Sequence, residues 1–398
     1  MQSLWVGMGL AAIAALWVAL MAGSRRQGWG TPSQLWWASG LYSACCVAGI
    51  LGIWREVALH PPRHSQLETI TSSDQRDRYL QVQARMLPPD AEHPSWIPTG
   101  LYLQSLRFVD ATRMEVAGYV WQKYGPDLPP DLSRGFNFPE ASETRLTEAY
   151  HQSGAVEIKG WYFLATVRVQ TEVDDYPFDR QAISLRLRHA DFGRNVVLIP
   201  DVDAYPSLDP TSLPGLEPGL TLDNWEMEAS GFRFGETRYA TSFGIPGSLG
   251  HHDVPELYFQ ILLRRNVIAS LFALLIVPVF AAILIFLVLM MCTTRSDRNL
   301  IFGFSISNVL RSMASLSFVI ISSQLNLRNQ LHAQGSTYIE AFYLVLYPAI
   351  LLVVWNAFLC TRSRRAWWIE FEDNLIPKLC FWPLMLGTLL VASVGLLR

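Results

Sequence analysis

The chain is 398 residues long, 51% hydrophobic, with a formal net charge of −3 at pH 7. It is too apolar for an ordinary soluble protein, and its middle is too polar to lie wholly in a bilayer, so the composition describes a hybrid. A charge this near zero excludes a general pull toward nucleic acid.

Crossing a hydrocarbon core takes about 20 helical residues, and apolar windows of that kind occur at 4–21, 35–53, 267–291, 300–325, 338–360 and 379–397. Two precede the polar middle and four follow it. The first window has no basic residue ahead of its apolar run and is followed by Arg25 and Arg26, the pattern of a retained helix with its amino end outside. Arg25-Arg26, Arg295 with Arg298, and Arg362 with Arg364-Arg365 assign their short loops to the cytoplasm, which puts the polar middle and the carboxyl end outside. Cys45, Cys46, Cys292, Cys360 and Cys380 all lie in or beside apolar spans, so no disulfide framework serves the polar middle, and the tandem Cys45-Cys46 reads as packing.

Residues 61–99 carry Pro, Ser, Gln and Asp without apolar periodicity and read as a linker, with a short helix over 74–85. From Leu101 the pattern changes to short alternating runs, among them 162–170, 182–188, 195–199 and 225–234, separated by Pro, Gly and Asp turns. The expected fold is a membrane protein with an extracytoplasmic β-sandwich over 100–264 and a C-terminal four-helix transmembrane bundle over 265–398. Two additional transmembrane helices in 1–60 precede them.

The fourth window carries a polar stripe. Ser305, Asn308, Ser312, Ser315, Ser322 and Asn326 recur three or four residues apart with only Val319 interrupting, and Ile301 is assigned to the same face. Hydrocarbon offers hydroxyls and amides no partner, so the stripe is either a pore wall or a polar seam between packed helices. With Asn308 at zero, Ser312 falls at about 40°, Ser315 at about −20°, Ser322 at about −40°, Asn326 at about zero and Arg311 at about −60°, on the flank. Several copies of Arg311 around a lumen would favour anions; alternatively Arg311 bonds to carbonyls or hydroxyls between subunits and holds register. Asp297 and Glu340 at the two mouths would pull the other way, so ion sign stays open.

The run Tyr176-Pro177-Phe178-Asp179-Arg180-Gln181, set between two strands and followed by Arg264-Arg265 at the mouth of the first of four helices, resembles the pentameric ligand-gated ion channels. The likeness covers about 101–398 and also includes Trp121, Pro139-Glu140, Trp225, Pro278 and a short loop before the last helix, as in the prokaryotic branch. It implies a homo-oligomer, a pentamer, in a bacterial inner membrane with the β-domain on the periplasmic side. Pro177, Phe178, Asp179 and Arg265 would couple that domain to the pore, Asp179 pairing with Arg265. Ligand would bind between neighbouring sandwiches at Phe138, Glu140, His189, Phe192, Tyr239 and His251, with Trp121 from across the interface. An aromatic box there suits an organic cation, although each aromatic alone is more often core than contact; the ligand is a small molecule, a proton or a metal ion.

Four features depart from that family. Val169 and Ile183 stand where animal receptors carry the bracketing cysteines, and the two leading helices are extra. Counting forward from Pro278 starts the pore helix near Asp297, whereas counting back from Tyr338 starts it several residues further on, so no gate residue follows from register. Arg311 lies within the pore helix, and the apolar girdle usual in that family is hard to find there.

No Ser-His-Asp arrangement, metal motif or nucleotide loop supports an enzyme, and no cofactor is expected. His251-His252-Asp253 with Glu256 carries ligating groups, but adjacent residues on a strand point to opposite faces, which disfavours one metal site. Trp367-Trp368 beside Arg364-Arg365 fits an interfacial helix against membrane lipids. The function expected is a ligand-gated ion channel; the rival is a non-conducting membrane sensor of the same fold signalling through its extra helices.

Overall fold

A computed structural model describes residues 31–59, 69–86, 95–110, 112–169, 176–191, 196–238, 241, 253–295, 305–331, 337–362 and 366–397. The first expected helix, at 4–21, lies outside the described residues, as do Phe192, Tyr239, His251, His252, Asp297 and Ile301. The described chain forms two units, one of helices and one of sheets.

The helical unit contains α1 (Pro32–Leu59) and, beyond residue 266, α3 (Val267–Met291), α4 (Ile306–Leu331), α5 (Glu340–Leu344), α6 (Leu346–Thr361), α7 (Trp367–Glu370) and α8 (Leu375–Leu396). Five spans among the described residues are long and apolar enough to cross a membrane. They form helices because an apolar run in hydrocarbon must satisfy every backbone group within itself. Two of these helices break that rule internally, and neighbours repair it. Pro278 in α3 has no N–H for the carbonyl of Leu274, and the Tyr343 hydroxyl donates to that oxygen at 3.4 Å. Pro383 in α8 likewise orphans the carbonyl of Leu379, and the Ser39 hydroxyl of α1 donates to it at 2.6 Å.

Helix α1 is thus a packed member of this unit. Its residues Ser39, Cys46, Ile50 and Ile53 are buried at heptad-like spacing. Gly49 lets it approach α8 closely: a Cβ there would sit 3.0 Å from Leu390 Cδ1. The loop Tyr176–Phe178 belongs to the same unit, with both aromatic rings in the helical core, and its Tyr176-Pro177 peptide bond is cis.

The second unit holds α2 (Ser73–Met86) and nine strands: β1 (Ser95–Asp110), β2 (Arg113–Tyr124), β3 (Phe136–Asn137), β4 (Ala141–Gln152), β5 (Glu157–Arg168), β6 (Arg180–His189), β7 (Val196–Pro200), β8 (Trp225–Arg238) and β9 (Asp253–Arg265). They make a five-stranded sheet ordered β4-β5-β2-β1-β7 and a four-stranded sheet ordered β3-β6-β9-β8. Alternate residues of both sheets, such as Leu101, Val116 and Phe163 from one and Ile183, Leu185 and Phe259 from the other, share one core. Val169 and Ile183, at the places where bracketing cysteines were sought, are both in that core, so apolar packing does the joining there.

The stretch read as a linker is in part an appendage of this unit. The ring of Tyr79 in α2 stacks on Phe234 of β8 at 3.9 Å and 6°, and Ile70 N–H donates to the carbonyl of Phe232 at 2.7 Å. Strand β1 begins at Ser95, ahead of the Leu101 expected from alternation, because its first residues pair in parallel with β7.

Candidate functional site

Helix α4 carries the stripe, and its polar and apolar faces are sorted by burial. Val309, Met313, Ile320 and Leu327 are buried in the helical core. On a face centred about 115° around the helix from these, Ser305, Asn308, Arg311, Ser312, Ser315, Val319, Ser322 and Asn326 are all exposed. Polar residues off the stripe are bonded within the chain: Ser323 to the Tyr343 hydroxyl at 3.1 Å, Gln324 from the Tyr347 hydroxyl at 2.6 Å, and Arg328 to Glu340 at 2.6 Å. The stripe is therefore not a seam between helices of one chain. Exposed apolar residues border it on one side, Phe318, Leu325, Ile321 and Leu310, at about −80° to −160° with Asn308 at zero. Ser305 caps the helix, its hydroxyl accepting from Asn308 N–H at 3.2 Å, which sets the start of the described helix near the later of the two registers.

The signature run divides between the units. Pro177, Phe178 and Asp179 are buried, with Asp179 in the helical unit. Strand β6 begins at Arg180, whose guanidinium pairs with Glu228 at 2.9 Å; Arg264 also reaches Glu228, at 3.3 Å. Arg265 lies over the Trp225 ring at 4.0 Å, a cation–π contact.

Residues expected at a ligand site occupy both sheets of their unit. Trp121, on β2, donates its indole N–H to Asp201 at 2.9 Å, and Lys123 reaches the same carboxylate at 2.8 Å. This half-buried indole lies flat only because Gly100 faces it: a Cβ there would stand 2.1 Å from the ring. Phe138 packs on Phe136 and Phe163 inside the core, with centroids at 5.3 and 5.0 Å. Phe138 is thus a core residue, and the aromatic contact expected of it is unavailable to a ligand at this surface.

Glu140 pairs with Arg186 on the outer face of the second sheet, whereas His189, three residues along β6, alternates onto the buried face. Arg186 grips two acids, Glu140 at 2.7 Å and Glu256 at 3.1 Å. Glu256 also accepts from the Thr237 hydroxyl, and Arg233 covers the nearby Tyr258 ring at 4.6 Å. Burial pushes the Glu140 carboxyl above its ordinary value, with Arg186 opposing. Burial also pushes the His189 imidazole down; its Nδ1 accepts from Asp191 N–H at 3.1 Å. Arg186 with Glu140 and Glu256 makes a charged, partly desolvated patch on the sheet's outer face, suited to a polar or charged ligand. Sequence reasoning missed Asp201, Lys123, Arg186 and Tyr258; alternation of Trp121 with Lys123 on β2 was the one local signal.

Neither a protein-family model nor a curated protein matches this chain.

Proposed function

We propose that the chain is one subunit of a homo-oligomeric, ligand-gated ion channel, a pentamer of the prokaryotic type, in a bacterial inner membrane with a β-sandwich on the periplasmic side. The observation that carries this reading is the sorting of α4: one face in the chain's own core, and a continuous polar face exposed beside an exposed apolar one. The exposed apolar face suits contact with a neighbouring copy, and the polar face then lines a shared aqueous axis, the arrangement in which unpartnered polar groups are least costly. Ligand binding at the charged patch of the sandwich shifts a closed-to-open equilibrium through the 176–179 loop.

Native mass measurement in detergent and recording in planar bilayers test this together. A defined oligomer with discrete unitary currents is expected. A defined oligomer passing no current under any condition tried would leave the non-conducting sensor as the reading, and a monomer would remove the pore altogether.

A further inference from the structure

Helix α1 has no counterpart in the resemblance, yet it is bonded into the helical unit at both ends. Ser39 completes the backbone ladder that Pro383 interrupts, Gly49 meets Leu390, and Trp54 enters a buried polar chain. The Trp54 indole N–H donates to the Tyr338 hydroxyl at 2.7 Å. Ser393 spends its proton on the Leu389 carbonyl at 2.8 Å, so Tyr338 donates to the Ser393 oxygen at 2.7 Å. Each donor thus has an acceptor, and three segments, α1, the lead into α5, and α8, are joined by one directed chain. The same indole packs against Phe178 at 6.2 Å and Phe342 at 6.3 Å between ring centroids. Tyr338 is 1% exposed and Ser393 0%, so water does not compete for these bonds.

We infer that Trp54 is a positioning residue for the 176–179 loop, through which α1 sets the closed-to-open balance of the channel. The inference rests on the channel reading for its consequence and on the Trp54 contacts for its mechanism. An indole fixed at its N–H edge by Tyr338 presents a rigid face to Phe178. A displacement of α1 therefore moves that face, and the loop repacks with it. Phenylalanine at position 54 keeps an aromatic face but frees it from Tyr338, which separates positioning from simple filling of space.

Two arms test this on the full-length protein. Amide hydrogen exchange at 176–179 in Trp54→Phe is expected to quicken about tenfold, the scale set by losing one buried hydrogen bond, while exchange in β5 stays as in the wild type. Tyr338→Phe, which also loses the bond to Ser393, should have at least as large an effect, and adding Trp54→Phe to it should add nothing, because the Trp54–Tyr338 bond is already gone. In bilayers, Trp54→Phe should shift spontaneous open probability by a similar factor at unchanged unitary conductance. Unaltered exchange at 176–179 in both Trp54→Phe and Trp54→Ala, or additive effects in the double variant, overturns the inference. A wild-type protein that passes no current defeats the channel reading, and the exchange arm still decides the role of Trp54.

Discussion

Arg186 holds together the two acids on the outer face of the second sheet, and its replacement by methionine exposes their cost. Its side chain is 17% exposed and reaches Glu256, only 1% exposed, at 3.1 Å. Methionine keeps most of the stem volume and removes every donor. Stripping the cation from a carboxylate at that depth costs about 3–5 kcal/mol, on the order of 10 °C in Tm for a unit of this size. Glu140 is one-third exposed and adds less than about 1 kcal/mol. The sign with pH follows from burial, which already pushes the Glu140 carboxyl up and has Arg186 as its main opponent. Without the arginine the folded state holds the Glu140 proton more tightly than the unfolded chain does. The Glu140 share of the Arg186→Met deficit is therefore present at neutral pH and shrinks as pH falls toward about 4.5. Thermal unfolding of the purified protein across that range measures it, and adding Glu256→Gln should recover most of the loss at pH 7. A deficit of constant size at every pH, with no recovery in the double variant, would mean that the arginine stem packs and its charge is idle.

Arg311→Gln should alter the anion-to-cation permeability ratio in proteoliposomes, since the side chain is exposed on the flank of the stripe; an unchanged ratio assigns Arg311 to subunit contacts. Asp179→Asn should shift the activation threshold and leave unitary conductance alone, and equal loss of both would point to misfolding. Gly100→Ala drives a methyl into the Trp121 ring, which a Cβ would meet at 2.1 Å, and should lower stability by about 1–3 kcal/mol with loss of the Trp121–Asp201 bond; a melting temperature equal to wild type counts against that packing. Because burial holds the His189 imidazole below its ordinary 6.5, the unfolded chain takes up the proton first as pH falls. Stability should then decline below about pH 6.5, and His189→Asn should flatten that part of the profile; an identical profile in the variant would remove His189 from the titration.

Much of the architecture is legible in the order of residues because the signals are local. The apolar window at 267–291 coincides with α3, and the run 182–188 lies within β6, since hydrocarbon length and two-residue alternation act along the chain. The stripe on α4 is equally local, being a matter of helical period. Strand β4 is different: ASETRLTEAYHQ is exposed almost throughout and shows no alternation to read, and it is a strand because it pairs with β5 along the sheet edge. Likewise Phe138 carries no mark that separates a core ring from a binding ring until Phe136 and Phe163 close on it.

Period and hydropathy alone determine that this chain has long apolar helices, an alternating middle and one helix with a polar face, because each property depends on neighbours within a few residues. Which face of α4 is inward, which acids share Arg186, and that Ser39 mends a ladder broken at Pro383 depend on partners far apart in the chain. Such contacts form only when packing brings them within about 3 Å, the range over which a hydrogen bond acts, and no spacing rule along one segment encodes them.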